Sequence, residues 1–119
     1  MLKTLIESAW NDRSLLNKEN VKNAVLEVVE NLDKGTIRVA DYSDNRWHVN
    51  EWIKKAVILY FPLKKMETIE LGPFEYHDKI PLKTGYKEKG VRVVPNAVAR
   101  YGSYTVSYTH LRAHETHTN

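Results

Sequence analysis

Arg92, in the string Gly90-Val-Arg-Val-Val-Pro95, is the residue whose possible chemistry is easiest to state. A guanidinium presents a planar fork that grips a carboxylate through two parallel hydrogen bonds, which a lysine does not reproduce. A Val-Val strand beside it would hold the fork rigidly. The alternative is a solvated arginine on an edge strand, the usual state of a lone arginine. Arg100 reads as a structural arginine near a junction. Lys54 and Lys55 read as a solvated helix face whose aliphatic stems cover Trp47 or Trp52. His48 and His77 are isolated in sequence, so neither is read as a general base.

Three of the five histidines, His110, His114 and His117, recur at i, i+4 and i+7. On a helix that spacing could bring three imidazoles near one metal ion. The string His114-Glu-Thr-His117 approaches the zinc-protease motif but has one residue where that motif needs two. We read adventitious Ni²⁺ or Zn²⁺ binding at most, and no evolved metal site. There is no cysteine, which excludes a disulfide framework and a thiolate metal site.

These residues need elements to position them. Leu2, Leu5, Ile6, Ala9 and Trp10 form one face of a helix over Leu2–Arg13. Val21, Ala24, Val25, Val28, Val29 and Leu32 repeat the pattern over Lys18–Asp33, with Asn17 as N-cap and Gly35 as the residue past the end. The two predict a helical hairpin. Alternation over Thr36–Asp41 and again at Trp47 and Val49, around Ser43-Asp44-Asn45, predicts a β-hairpin. A third helix is expected over Asn50–Phe61, with Trp52, Ile53, Ala56, Val57 and Tyr60 inward. Ile58 and Leu59 would widen its apolar stripe and make it the most enclosed helix, and Pro62 would end it. All three tryptophans fit apolar stripes and are expected in the core. A short strand over Met66–Leu71, a break at Gly72-Pro73 and a mixed, extended Tyr76–Pro81 follow. Lys83–Gly90 is a lysine-rich loop, Val91–Val94 a strand, and Ala97–Tyr104 extended. The fold class is therefore α+β: a helix-rich cap of three amphipathic helices and a β-hairpin, with an extended C-terminal segment.

At 119 residues the chain holds one small domain. The 42% apolar and 28% charged residues are those of a globular chain. The net charge of +3 is spread among acids rather than gathered on one arm, so a nucleic-acid-binding domain ranks last of the readings. The longest apolar run, Ala56–Phe61, is too short to span a bilayer, and no signal peptide opens the chain. No membrane or nucleic-acid partner is expected, and a cytoplasmic location follows by default.

Several strings together resemble one family. Gly35-Thr-Ile-Arg-Val-Ala-Asp41, Trp47 and Glu51-Trp-Ile-Lys-Lys-Ala-Val-Ile-Leu59 are similar to the N-terminal domain of tetrahydrodipicolinate N-succinyltransferases. So are Tyr76-His-Asp-Lys-Ile-Pro-Leu-Lys83 and Lys89-Gly-Val-Arg-Val-Val-Pro95, followed by Ala97, Arg100 and Gly102. The resemblance runs over roughly residues 1–104 in the family's order. It implies a homotrimer of left-handed parallel β-helices behind a helical N-terminal domain. It also implies succinyl transfer from succinyl-CoA, a co-substrate rather than a bound cofactor, to ring-opened tetrahydrodipicolinate, a step of diaminopimelate and lysine synthesis. The catalytic base and the CoA groove belong to the β-helix, whose hexapeptide repeats are not found here. No catalytic residue is therefore expected in this chain. The resemblance favours the substrate-binding role for Arg92, because it matches the family arginine associated with the dicarboxylate.

The expected organisation is a cap over residues 1–95, a junction over 96–104, and a tail over 105–119. The tail, from Thr105 or Val106 to Thr116, resembles the in-frame translation of a sequencing-library adapter, and it is expected to be disordered. The fragment alone is expected to be inactive. The competing reading is a freestanding protein-interaction or regulatory module.

Overall fold

A computed structural model describes residues 2–106 and 109–111. Three helices, α1 (Leu2–Asn11), α2 (Glu19–Lys34) and α3 (Glu51–Tyr60), each pack against the other two. Ile6 and Ala9 of α1, Val21, Ala24, Val25, Val28 and Val29 of α2, and Ile53, Ala56, Leu59 and Tyr60 of α3 form the core. Each helix turns one alanine inward, and all three alanines are at most 3% exposed. Small side chains at the crossings let the helix axes approach closely, while valine and isoleucine fill the layers between. Burying each large aliphatic side chain stabilises the fold by about 2 kcal/mol before entropy is counted. Lys55 Nζ on α3 donates to Glu7 Oε1 on α1 at 2.8 Å, and it lies 5.7 Å from the Trp10 ring.

The helix ends show why the chain turns where it does. α1 stops at Asn11, and a 3₁₀ turn over Arg13–Asn17 follows. Asp12 Oδ1 caps this turn, accepting from Ser14 N–H at 3.1 Å and Ser14 Oγ at 2.6 Å. These bonds hold the Asp12 carboxyl below its ordinary pKa, the hydroxyl contributing most. The N-cap of α2 is Lys18 rather than Asn17, and it makes no side-chain cap. Gly35 ends α2 in the left-handed conformation, at φ 77°. Thr36 N–H reaches Asn31 O and Gly35 N–H reaches Leu32 O, the paired bonds of a Schellman end. A Cβ on Gly35 would come within 2.7 Å of the Tyr104 ring, so the position needs glycine for space as well.

α3 is, as expected, the most enclosed helix, with four of its ten residues buried against five of sixteen in α2 and two of ten in α1, but Ile58 does not widen its buried stripe. Ile58 is 50% exposed, because the angular step of about 100° per residue carries it off the face shared by Ala56 and Leu59. Pro62 lies inside a 3₁₀ turn over Phe61–Leu63, in the first turn where its missing N–H leaves nothing unpaired.

The expected hairpin forms from β1 (Ala40–Ser43) and β2 (Arg46–Val49), joined by Asp44 and Asn45 at φ 52° and 62°. Both central residues at positive φ make the turn that matches strand twist. Thr36–Val39 leads into the ladder without joining it. Trp47 corrects the expected core placement: it is 66% exposed, edge-on to Tyr42 at 5.3 Å. A two-stranded ladder has no second layer to bury its apolar face. Trp10 and Trp52 are half-buried against the core.

The sequence reading missed a second hairpin. β3 (Glu67–Leu71) pairs antiparallel with β4 (Phe74–Asp78) around Gly72-Pro73, with Leu71 opposite Phe74. Gly72 has φ 59°, the first-position requirement of the other hairpin turn. The lysine-rich loop contains one helical turn, α4 (Tyr86–Lys89), and β5 (Arg92–Val93) runs parallel to β6 (His110–Leu111). The architecture is α+β, with three helices and three two-stranded ladders besides the single turn of α4, among the described residues. No helix among them is long and apolar enough to cross a membrane. Of the tail, residues 105–106 and 109–111 are described; His114, His117 and the rest of 112–119 lie outside the described residues.

Candidate functional site

Arg92 is carried by a loop fastened at its base to α2. Residues 81–83 meet 99–101 antiparallel: Tyr101 N–H donates to Pro81 O at 2.7 Å, Lys83 N–H donates to Ala99 O at 2.9 Å, and Leu82 bridges Arg100. Ile80 and Ala99 are buried on either side of this base. The chain between, residues 84–98, makes the arm.

Three bonds fix the base to the C-terminal half of α2. Asp33 Oδ1 accepts from Lys83 Nζ at 2.6 Å and from Gly102 N–H at 2.9 Å. Tyr101 Oη donates to Glu30 Oε1 at 2.9 Å. The Lys83 and Asp33 side chains are only 9% and 17% exposed. Burial pushes the Asp33 carboxyl up, but the hydrogen bonds from Lys83 and Gly102, with the charges of Lys83 and Lys89, hold it below the ordinary carboxylate range. Burial raises the Tyr101 phenol above its ordinary range, and the Glu30 hydrogen bond and charge add to the rise. An acid in the last turn of a helix faces the negative end of the helix dipole. That misfit, legible in the sequence, was the available signal that Asp33 has a cationic partner.

Within the arm, Gly90 ends α4 at φ 70°, and Val91 N–H donates to Tyr86 O at 2.9 Å. Val91 is buried, and strand alternation then turns Arg92 outward, where it is exposed. Among the described residues no acid pairs with Arg92. Lys87 and Lys89 stand near it in the chain, and Glu88 is the one acid between Lys83 and Pro95. With Lys83 neutralised by Asp33, the arm presents a net positive field to solution, which raises the local concentration of small anions.

The other sequence candidates are engaged elsewhere. Arg100 Nη2 donates to Asp78 Oδ2 at 2.9 Å, and its guanidinium lies 5.9 Å from the Phe61 ring. Lys54 makes only an exposed pair with Glu51 at 3.8 Å, worth little to stability. His48 Nε2 lies 3.1 Å from Ser43 O, and His77 Nδ1 lies 2.9 Å from Thr68 Oγ1, each within its own hairpin. The structure does not bring them to Arg92. Among the described residues no cluster of three His, Cys, Asp or Glu could hold a metal ion. A cleft of about 440 Å³ beside the base is lined by Asp33, Lys83, Lys89, Tyr104, Thr105 and Val106.

Comparison with known proteins sets this geometry in context. The family model described as Tetrahydrodipicolinate N-succinyltransferase N-terminal matches residues 1–63, more than half of the chain. A protein of Pseudoalteromonas translucida named 2,3,4,5-tetrahydropyridine-2,6-dicarboxylate N-succinyltransferase is 40% identical over 113 residues, covering 87% of this chain and 41% of the relative. The protein of that name in Azoarcus sp. is 43% identical over 113 residues, with the same coverage. The one in Coxiella burnetii (strain Dugway 5J108-111) is 37% identical over 116 residues, 91% of this chain and 43% of the relative. The chain thus spans about two fifths of the length of the curated relatives it matches.

Proposed function

We propose, proceeding from the fact that the chain belongs to the tetrahydrodipicolinate N-succinyltransferase N-terminal family, that it is the leading part of an enzyme that succinylates tetrahydrodipicolinate. The observation that carries this reading is the family match over 1–63, together with relatives of one name at 37–43% identity. In the proposed reaction the amine nitrogen of the ring-opened substrate attacks the thioester carbonyl of succinyl-CoA. An amide C–N bond forms, the C–S bond breaks, and CoA thiolate leaves. The proton lost by the amine passes to a base. That base and the CoA groove are assigned to a left-handed parallel β-helix outside this chain, at the contact between subunits of a homotrimer. The place of the reaction is diaminopimelate and lysine synthesis, in the cytoplasm.

Arg92 is the residue of this chain assigned to substrate. Its exposure, its lack of an acidic partner among the described residues and the positive charge of the arm support a carboxylate ligand. A fork that no acid among the described residues engages is ready to take a bidentate partner.

The test has two arms. Reading the locus past codon 104 should give hexapeptide repeats in frame, and the resulting longer protein should release CoA from succinyl-CoA only when tetrahydrodipicolinate is present. The 119-residue chain should release none. Unrelated sequence past codon 104, or CoA release by the short chain, would contradict the reading.

A further inference from the structure

The β3–β4 hairpin and a groove on the helical bundle are incomplete in complementary ways. No residue of either strand of the hairpin is buried. At its tip Leu71 and Phe74, paired across the turn, are 50% and 58% exposed. One step back, Glu70 stands directly opposite Glu75. Like charges directly opposite on a ladder are destabilising, and an uncovered two-stranded hairpin is marginal in water. Among the described residues neither glutamate has a cationic partner. The tip is therefore an apolar finger with unrelieved negative charge.

The groove, about 580 Å³, lies between the Arg13–Asn17 turn, α2 and the Phe61–Leu63 turn. Leu16, Leu26 and Leu63 supply its apolar surface, and Arg13, Lys22 and Lys64 supply its charge. No acid lines it. Arg13 stacks on Trp10 with its guanidinium carbon 4.5 Å from the ring centroid, and Lys64 Nζ lies 5.6 Å from the Tyr60 ring, so both heads are held in place. Among the described residues none of the three cations pairs with an acid. No hairpin residue lines the groove of its own chain.

We propose that the β3–β4 tip of one copy docks in this groove of a second copy. Leu71 and Phe74 cover the leucines, and Glu70 and Glu75 meet Arg13, Lys22 and Lys64. Each surface supplies what the other lacks. Three cations neutralise a repelling acid pair, and two exposed apolar side chains cover a floor in which Leu26 is exposed and Leu63 half-buried over the buried Leu16. The contact joins different surfaces of two identical chains, so it is head-to-tail and propagates around a ring when the rotation closes. It makes no use of Arg92 and does not rest on the transfer reaction.

Sedimentation equilibrium of the 119-residue chain tests the contact, with far-UV circular dichroism confirming that each variant is folded. The wild-type chain should self-associate reversibly, more weakly as salt rises. Reversing the finger (Glu70→Lys with Glu75→Lys) or the groove (Arg13→Glu with Lys22→Glu) should each weaken association by about tenfold or more. Mixing the two reversed proteins should restore it, because each retains the wild-type half that the other has lost and the two altered halves match. A chain that stays monomeric at all concentrations overturns the proposal. So does association that either reversal leaves intact, or reversed proteins that fail to recover each other.

Discussion

The helical bundle and the two hairpins are built from similar residues and treat them oppositely. Ile6, Val25, Val28, Ile53 and Leu59 are sealed, each less than 2% exposed. Tyr42, Trp47, Leu71 and Phe74, equally apolar or larger, stand 50% exposed or more on ladders that no second layer covers. A helix stripe finds its partner within the bundle. A two-stranded ladder must find one beyond itself or leave its aromatic side in water. The bundle thus covers its own apolar stripes, and the hairpins leave theirs in water. The arm lies between these cases: its base is locked to α2, and its Arg92 tip is open.

Substitutions measure how deep that contrast goes. Ile53→Ala should have the largest effect, lowering stability by about 4 kcal/mol through lost burial and a cavity that the three helices cannot close. A urea unfolding midpoint reads it, and a loss below about 1 kcal/mol would mean that the bundle is loosely packed. Asp33→Ala should cost about 3 kcal/mol, because it leaves Lys83 buried without its partner. The pH dependence has a definite sign. Asp33 has a folded pKa below its ordinary 3.8, so its contribution is complete above about pH 4 and is lost as pH falls through the folded value. Asp33→Asn should flatten that part of the acid unfolding curve. Gly35→Ala should cost about 2 kcal/mol from the left-handed backbone, and the Tyr104 ring must also move. Trp47→Ser should change stability least, by about 0.5 kcal/mol, since two thirds of the residue's surface is already in water. A loss as large as that of Ile53→Ala would erase the contrast.

The same contrast explains what the sequence revealed. Periodicity located α1, α2 and α3 within a residue or two at most ends, because burial of a helix stripe is a local pattern with a fixed repeat. Gly35 was readable as a helix end because the backbone there requires φ above zero. Trp47 was misplaced because alternation states which side of a strand is apolar and is silent on whether anything covers it. The β3–β4 hairpin was missed because Phe74-Glu75-Tyr76-His77 alternates through only two apolar positions before Asp78 and Lys79 end the pattern, too short a run to mark a strand beside the Gly72-Pro73 break. At the site, Arg92 could be named from its chemistry and the family resemblance. The Asp33–Lys83 latch joins residues 50 apart in the chain, and no local pattern encodes that meeting.

The most direct test of the functional account is the acceptor kinetics of Arg92→Lys in the longer protein proposed to continue this chain. Lysine keeps the charge and removes the fork, so the account predicts a KM for tetrahydrodipicolinate raised by about tenfold or more. The KM for succinyl-CoA and the unfolding midpoint should stay unchanged. Unaltered acceptor kinetics in a folded Arg92→Lys enzyme would contradict the account and leave Arg92 as a solvated arginine on an edge strand.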